Sequence, residues 1–165
     1  MAIRRRRSTA HGIVKSQEDL MKARKALFVV VLLVLGFAMW AQSYDETTVV
    51  YKITRDQLSG YLSSLDYKPS NVKEKTLSLK VNGWSAFITC NGTNLQIYAW
   101  FNGPADPDLV NKFNSSYRFA SAYWDEENDV CIQSDIDMEA GITLGAIGEW
   151  VETFGQLLDD YNELE

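Results

Sequence analysis

From Ala26 to Tyr44 the chain carries no charged residue, and residues 26–41 are almost wholly apolar, with an unbroken run from Ala26 to Leu35 before Gly36. Such a run has no polar face at helical spacing, which sets it apart from the amphipathic helices of a water-soluble fold and assigns it to a bilayer or a translocon. Read from Met21, the order Met-Lys-Ala-Arg-Lys, apolar stretch, then Ala41-Gln42-Ser43 supplies the parts of a secretory signal: a positive start, an apolar centre and small residues before a cleavage point after Ser43. On this reading translation starts at Met21 and the mature protein is residues 44–165. A second reading keeps Met1 and the Arg4-Arg5-Arg6-Arg7 cluster and leaves the segment uncut as a signal anchor, since about 19 uncharged residues just span a bilayer. Both place the downstream part outside the cytoplasm, periplasmic or secreted if cut and membrane-anchored through residues 26–44 if not. A buried core helix is a third reading, disfavoured by the missing polar face.

The formal charge of -6 is divided unevenly along the chain. Residues 1–43 hold 8 Lys/Arg against 2 acids, whereas residues 44–165 hold 8 against 20, a net -12. A domain that acidic repels phosphate backbones and gathers no basic stripe, so nucleic acid is not an expected partner. The sole histidine, His11, lies in the basic leader. Ser-His and Cys-His nucleophilic pairs, HExxH zinc sites and other His-ligated metals are therefore excluded from the domain, and no cofactor is implied.

Downstream, residues 47–52 are β-prone and read as a short leading strand. Thr54 and Gln57 have the spacing of a capping box, and Leu58, Tyr61, Leu62 and Leu65 follow the helical i, i+3, i+4, i+7 rule until Pro69 excludes further helix. Leu77, Leu79 and Val81 alternate with polar residues as a strand with one buried face. Further strands read at residues 84–90 and 95–101, joined through Asn91-Gly92. A two-residue loop there sets Cys90 against Thr93, Ile88 against Leu95 and Ala86 against Ile97; a four-residue loop keeps the same facing, and a three-residue loop would expose Ile88. Asp106-Pro107 opens a helix through Leu109, Val110 and Phe113. A second hairpin joins strands near residues 119–124 and 130–136 across an acidic turn. A long amphipathic helix closes the chain, with Ile147, Trp150, Val151, Phe154, Leu157, Leu158 and Tyr161 on one side. The order α-β-β-β-α-β-β-α describes an α+β fold, an antiparallel sheet covered by helices.

The block Asn111-Lys112-Phe113-Asn114-Ser115-Ser116-Tyr117-Arg118-Phe119-Ala120-Ser121-Ala122-Tyr123 resembles the central block of the YbjN-domain family, in which a helix end runs through Arg-Phe into an aromatic strand. Asp135-Ile136-Asp137 and Gly141 match the family's pattern C-terminal to that block, and the similarity covers roughly residues 50–160. The resemblance implies a type III secretion chaperone-like fold and a regulatory family without an established activity. Its motif positions here are Asn111, Phe113, Asn114, Arg118, Phe119, Asp135, Asp137 and Gly141. A secretory leader is not part of the family pattern.

Four groups of residues are candidate sites. Cys90 and Cys131 would meet an oxidising compartment, but face parity turns them apart, so a Cys90–Cys131 disulfide is possible and disfavoured against two separate thiols. The acids Asp125, Glu126, Glu127 and Asp129, with Asp135, Asp137 and Glu139, lack the glycine of a calcium loop and read as a solvated turn, so no metal site is assigned. Asn114 and Arg118 read as residues that cap a helix end and pin the next strand. Phe87, Tyr98 and Trp100 lie on the hairpin face away from Ile88, where they form either an interaction patch or a surface covered by a helix of the same domain. No catalytic residue is assigned. The expected function is an exported, non-enzymatic protein-interaction domain, chaperone-like or regulatory, whose partner is another protein or a second copy. The alternative is an envelope protein that stacks a small molecule or glycan on the same aromatics.

Overall fold

A computed structural model describes residues 44–164. The proposed leader and its cleavage point lie outside the described residues. Eight strands and three helices follow one another as β1 (Val49–Val50), α1 (Arg55–Ser64), β2 (Ser70–Lys73), β3 (Thr76–Val81), β4 (Trp84–Cys90), β5 (Asn94–Phe101), α2 (Pro107–Ser116), β6 (Ser121–Trp124), β7 (Val130–Asp137), β8 (Ile142–Thr143) and α3 (Leu144–Leu164). Strands β2 to β7 form one antiparallel sheet in the order β2-β3-β4-β5-β7-β6. The fold is α+β, with three helices packed on an antiparallel sheet. Among the described residues no helix is long and apolar enough to cross a membrane.

Two strands escaped the hydrophobic pattern. Strand β2 is exposed throughout, so it has no buried side from which alternation could be read. Strand β8 is two residues long and pairs only with β1, which confines the leading strand to Val49–Val50 and places it outside the main sheet.

Local chemistry explains the elements that were legible. The Thr54 side chain accepts from the Gln57 N–H while the Gln57 side chain accepts from the Thr54 N–H, satisfying two donors at the α1 start. Asp106 caps α2 by accepting from the N–H groups of Asp108 and Leu109, with Pro107 in the first turn. Asn82 and Gly83, both at positive φ (49° and 87°), make the tight turn between β3 and β4 that Val81 and Trp84 close.

The β4–β5 connection takes the four-residue form. Cys90 faces Leu95 and Ile88 faces Ile97, a register two residues away from the two-residue expectation that leaves every side chain on its expected face. The shift has a cause outside the hairpin. Gly92 C=O accepts from Ile53 N–H (3.0 Å) and Thr93 C=O from Met138 N–H (2.8 Å), so the loop is held open by its neighbours. Gly92 has φ 84°, which glycine supplies without steric strain.

One apolar cluster holds the layers together. Leu77, Leu79, Val81, Ala86, Ile88, Leu95, Ile97 and Ile132 from the sheet pack with Leu58 and Leu62 of α1, Val110 and Phe113 of α2, and Val151, Phe154 and Leu158 of α3. All three helices therefore stand on the same side of the sheet. Asp159 ties α3 to the β3–β4 turn by accepting from Trp84 Nε1 (2.7 Å) and Asn82 Nδ2 (2.9 Å).

Candidate functional site

Because alternate side chains of a strand point to opposite faces, placing the apolar rows under the helices turns a second set outward. Cross-strand pairing lines these up in rows. Ser78, Phe87, Tyr98, Gln133 and Ser121 form a central row from β3 to β6. Lys80 and Ser85 on one side, with Trp100, Cys131 and Tyr123 on the other, form the row above it. Thr76, Thr89, Gln96 and Asp135 form the row below. No helix among the described residues covers this face.

Phe87 and Tyr98 stack at a centroid distance of 5.5 Å and an interplanar angle of 19° in the middle of the face. Trp100 is 40% exposed and Tyr123 39%. Between them Cys131 is fully buried. Burial raises its thiol pKa, opposed in part by the neighbouring Tyr123 phenol. The Tyr123 phenol donates to Gln133 Oε1 at 3.1 Å and is pushed up to about 12, chiefly by desolvation. The face can thus offer stacking surfaces and hydrogen-bonding groups, and burial disfavours the thiolate of Cys131.

The cysteines occupy opposite faces. Cys90 lies on the covered side, its thiol pushed up to about 11 by burial, and both thiols are free. The family block gathers at the α2–β6 junction. There Asn114 donates to Ala122 C=O (2.9 Å) and accepts from Ala122 N–H (2.8 Å), so its amide stands where a neighbouring strand would and closes the β6 edge. Phe113 is core, stacked on Tyr117 with centroids 5.0 Å apart, while Asn111 and Arg118 are exposed. Phe119 is 77% exposed at φ 71°, an uncommon conformation for a bulky residue. Ser134 Oγ donates to its carbonyl and in turn accepts from Trp150 Nε1 (2.9 Å), a relay that ties this loop to α3. Asp135 and Asp137 sit apart on β7. Gly141, at φ 87°, turns the chain into β8 where a Cβ would lie 2.9 Å from the Tyr51 ring. These residues do not converge on one ligand.

The acidic turn uses two of its carboxylates on nearby backbone N–H groups. Asp125 accepts from the N–H groups of Glu127 and Asp129, and Asp129 from Gly103 N–H. Among the described residues no three His, Cys, Asp or Glu side chains are placed to hold a metal ion. On the helical side, a recess of about 340 Å³ is lined by Tyr61 and Tyr67 with Glu46, Asp66, Glu149 and Glu152. Burial, and then Glu46, raises the Tyr61 pKa; burial and Glu152 raise that of Tyr67.

The open face includes partners that the sequence reading missed. Tyr123 and Cys131 belong beside Trp100, and Lys80 and Asp135 occupy its corners. Strict alternation through residues 121–124 and 130–137 carried that signal for Tyr123 and Asp135, but the pairing of β5 with β7 across an intervening helix did not follow from local pattern.

Residues 54–164 match the family model described as "YbjN: Putative bacterial sensory transduction regulator". Among solved structures, the crystal structure of YbjN from E. coli is similar with a TM-score of 0.57 at 15% identity, over 69% of this chain and 91% of that one. At that identity the likeness is one of fold. The ExoT–SpcS complex from Pseudomonas aeruginosa gives a TM-score of 0.47 at 20% identity, over 64% of this chain and 90% of that one. No curated protein matches the chain significantly.

Proposed function

Since the chain belongs to the YbjN family, we propose that residues 44–165 form a non-enzymatic protein-contact domain, regulatory or chaperone-like, that works through its open sheet face. The observation that carries this reading is the aromatic centre of that face, Phe87, Tyr98, Trp100 and Tyr123, which no helix among the described residues covers. Aromatic clusters of this kind, ringed by small polar groups, are the common anchors of protein contacts. Export belongs to the same proposal and rests on the apolar run of residues 26–41 behind its basic flank. Fractionation and N-terminal sequencing test that part: an intact chain free in the cytosol would end it.

Photo-crosslinking tests the contact. A benzophenone amino acid placed at Tyr98 or Trp100 in the full chain yields adducts with a protein, whereas the same probe at Glu149 on the helical side does not. Adducts confined to the Glu149 probe, or none from either face, refute the assignment. Ser78, Ser121, Thr89, Gln96 and Gln133 around the aromatics also favour a second reading, a stacking platform for a glycan or small molecule. In that case soluble saccharides raise the melting temperature in a concentration-dependent way and Trp100→Ala abolishes the rise.

A further inference from the structure

The charges on the open face are few: Lys73, opposite Thr76 at the β2 edge, Lys80, Asp135 and Asp137. Lys80 stands in the upper row on β3 and Asp135 in the lower row on β7, with Asp137 beyond it. The two corners are related through the stacked pair at the centre. Lys80 faces Ser85, two residues along β4 lies Phe87, Phe87 faces Tyr98, two residues along β5 lies Gln96, and Gln96 faces Asp135. Lys80 and Asp135 are thus offset by four residues along the strands, about 13 Å, and by three strand spacings across them, about 14 Å. Their midpoint falls between Phe87 and Tyr98.

We propose that this face binds a second copy of the chain about a two-fold axis through the Phe87–Tyr98 pair, with Lys80 of each copy meeting Asp135 of the other. The inference rests on the reading of the open face as a protein-contact surface and names its occupant. A two-fold axis lying in the interface and exchanging the two corners must run perpendicular to the line that joins them. Because the two offsets are nearly equal, that axis lies about 45° from the strands, so the strands of the two sheets cross at about 90°, one of the two usual ways in which sheets stack. An isologous contact of this kind is self-complementary only if opposite charges occupy the exchanged positions, as they do here.

Charge also decides against other occupants. The domain is net -12, and its acids line the helical-side recess through Glu46, Asp66, Glu149 and Glu152 and fill the turn at Asp125, Glu126, Glu127 and Asp129. A basic peptide is drawn to those places before the nearly neutral sheet face. Two copies, for the same reason, meet with least repulsion sheet to sheet. Six strands at about 4.8 Å spacing and four to eight residues in length offer at most roughly 600 Å² per copy. That lies at the lower end of the range for specific contacts, so the dimer is weak and concentration-dependent.

Sedimentation velocity of the full-length chain in a non-ionic detergent, across the micromolar range, reads the association. The wild type shows a monomer–dimer equilibrium. K80E and D135K each place like charges at both contacts and weaken the dimer by at least about tenfold. An equimolar mixture of the two variants associates again, because each copy then offers the charge that the other lacks. A chain that is monomeric throughout, an association that both variants leave intact, or a mixture that stays dissociated overturns the proposal. The crosslinking of Tyr98 separates the outcomes: an adduct with a different protein in a monomeric chain removes the second copy and keeps the contact surface, whereas no adduct removes both.

Discussion

Asn114→Ala opens an edge of the sheet that the native chain keeps shut. The Asn114 amide makes two hydrogen bonds to one residue, 2.9 Å to Ala122 C=O and 2.8 Å to Ala122 N–H. Each such bond has a net value of about 1 kcal/mol, and water reaches part of this edge, so the loss is about 1–2 kcal/mol rather than the full cost of a buried orphan pair. For a domain of this size that lowers the melting temperature by roughly 3–10 °C. Asn114→Asp is a sharper probe. One carboxylate oxygen still accepts from Ala122 N–H, but the other then opposes the Ala122 carbonyl, so the aspartate variant is less stable than the alanine variant. Urea unfolding followed by far-ultraviolet dichroism gives the energies, and hydrogen exchange at the Ala122 amide reports the clamp itself. Ala122 loses protection while amides in β4 and β5 keep theirs. The freed edge also pairs between molecules, so turbidity on heating rises earlier. A variant within about 0.3 kcal/mol of wild type, with Ala122 still protected, would refute the view that Asn114 stands in for a strand.

Gly155→Ala sets helix propensity against packing. Alanine gains up to about 1 kcal/mol in a helix interior, but the added Cβ would lie 2.5 Å from Val81 Cγ1 and 3.1 Å from the Asn82 side chain, an overpacking that costs about 1–3 kcal/mol. The expected net result is a lower melting temperature; a rise would show that α3 is not pressed against the β3–β4 turn. Both thiols resist Ellman's reagent in the folded protein near neutrality and react fully in denaturant. Cys90 is raised from 9.0 to about 11 and Tyr123 from 10.0 to about 12, so the folded state holds these protons more firmly than the unfolded chain. Their contribution to stability is complete below pH 9 and is lost as pH rises from 9 through 12. Alkaline urea titrations with absorbance at 295 nm check it, and a Tyr123 that ionises near 10 would contradict the desolvation of its phenol.

Elements whose signals are local were legible in the sequence. Thr54 and Gln57, Asp106 and Pro107, and the alternation of Leu77, Leu79 and Val81 each state their structure within a few residues. The register of the β4–β5 hairpin was not legible, because Ile53 and Met138 decide it from 39 and 45 residues away. The edge strand β2 was missed for a different reason: with Ser70, Asn71, Val72 and Lys73 all exposed, burial imposes no period on it. For the site, alternation put Phe87, Tyr98 and Trp100 on one face, yet whether that face is covered depends on how the helices distribute between two sides. No local pattern carries that information. The same holds for Lys80 and Asp135, whose relation exists only once β3, β4, β5 and β7 are in register.

The chemistry of the open face explains why it suits a contact that forms and releases better than permanent cover. A helix laid across it would take Gln96, Gln133 and Asp135 out of water, and each group left without a partner costs about 1–3 kcal/mol, more for the carboxylate. The apolar return is confined to the middle, where Phe87 and Tyr98 already stack on each other. A partner that covers this centre and meets Asp135 with an opposite charge leaves the outer amides hydrated and gains the remaining exposure of Trp100 and Tyr123. Polar groups at the rim thus limit how much of the sheet any partner can seal. Binding through this face, as proposed, would therefore be modest in strength and sensitive to the few charges at its corners.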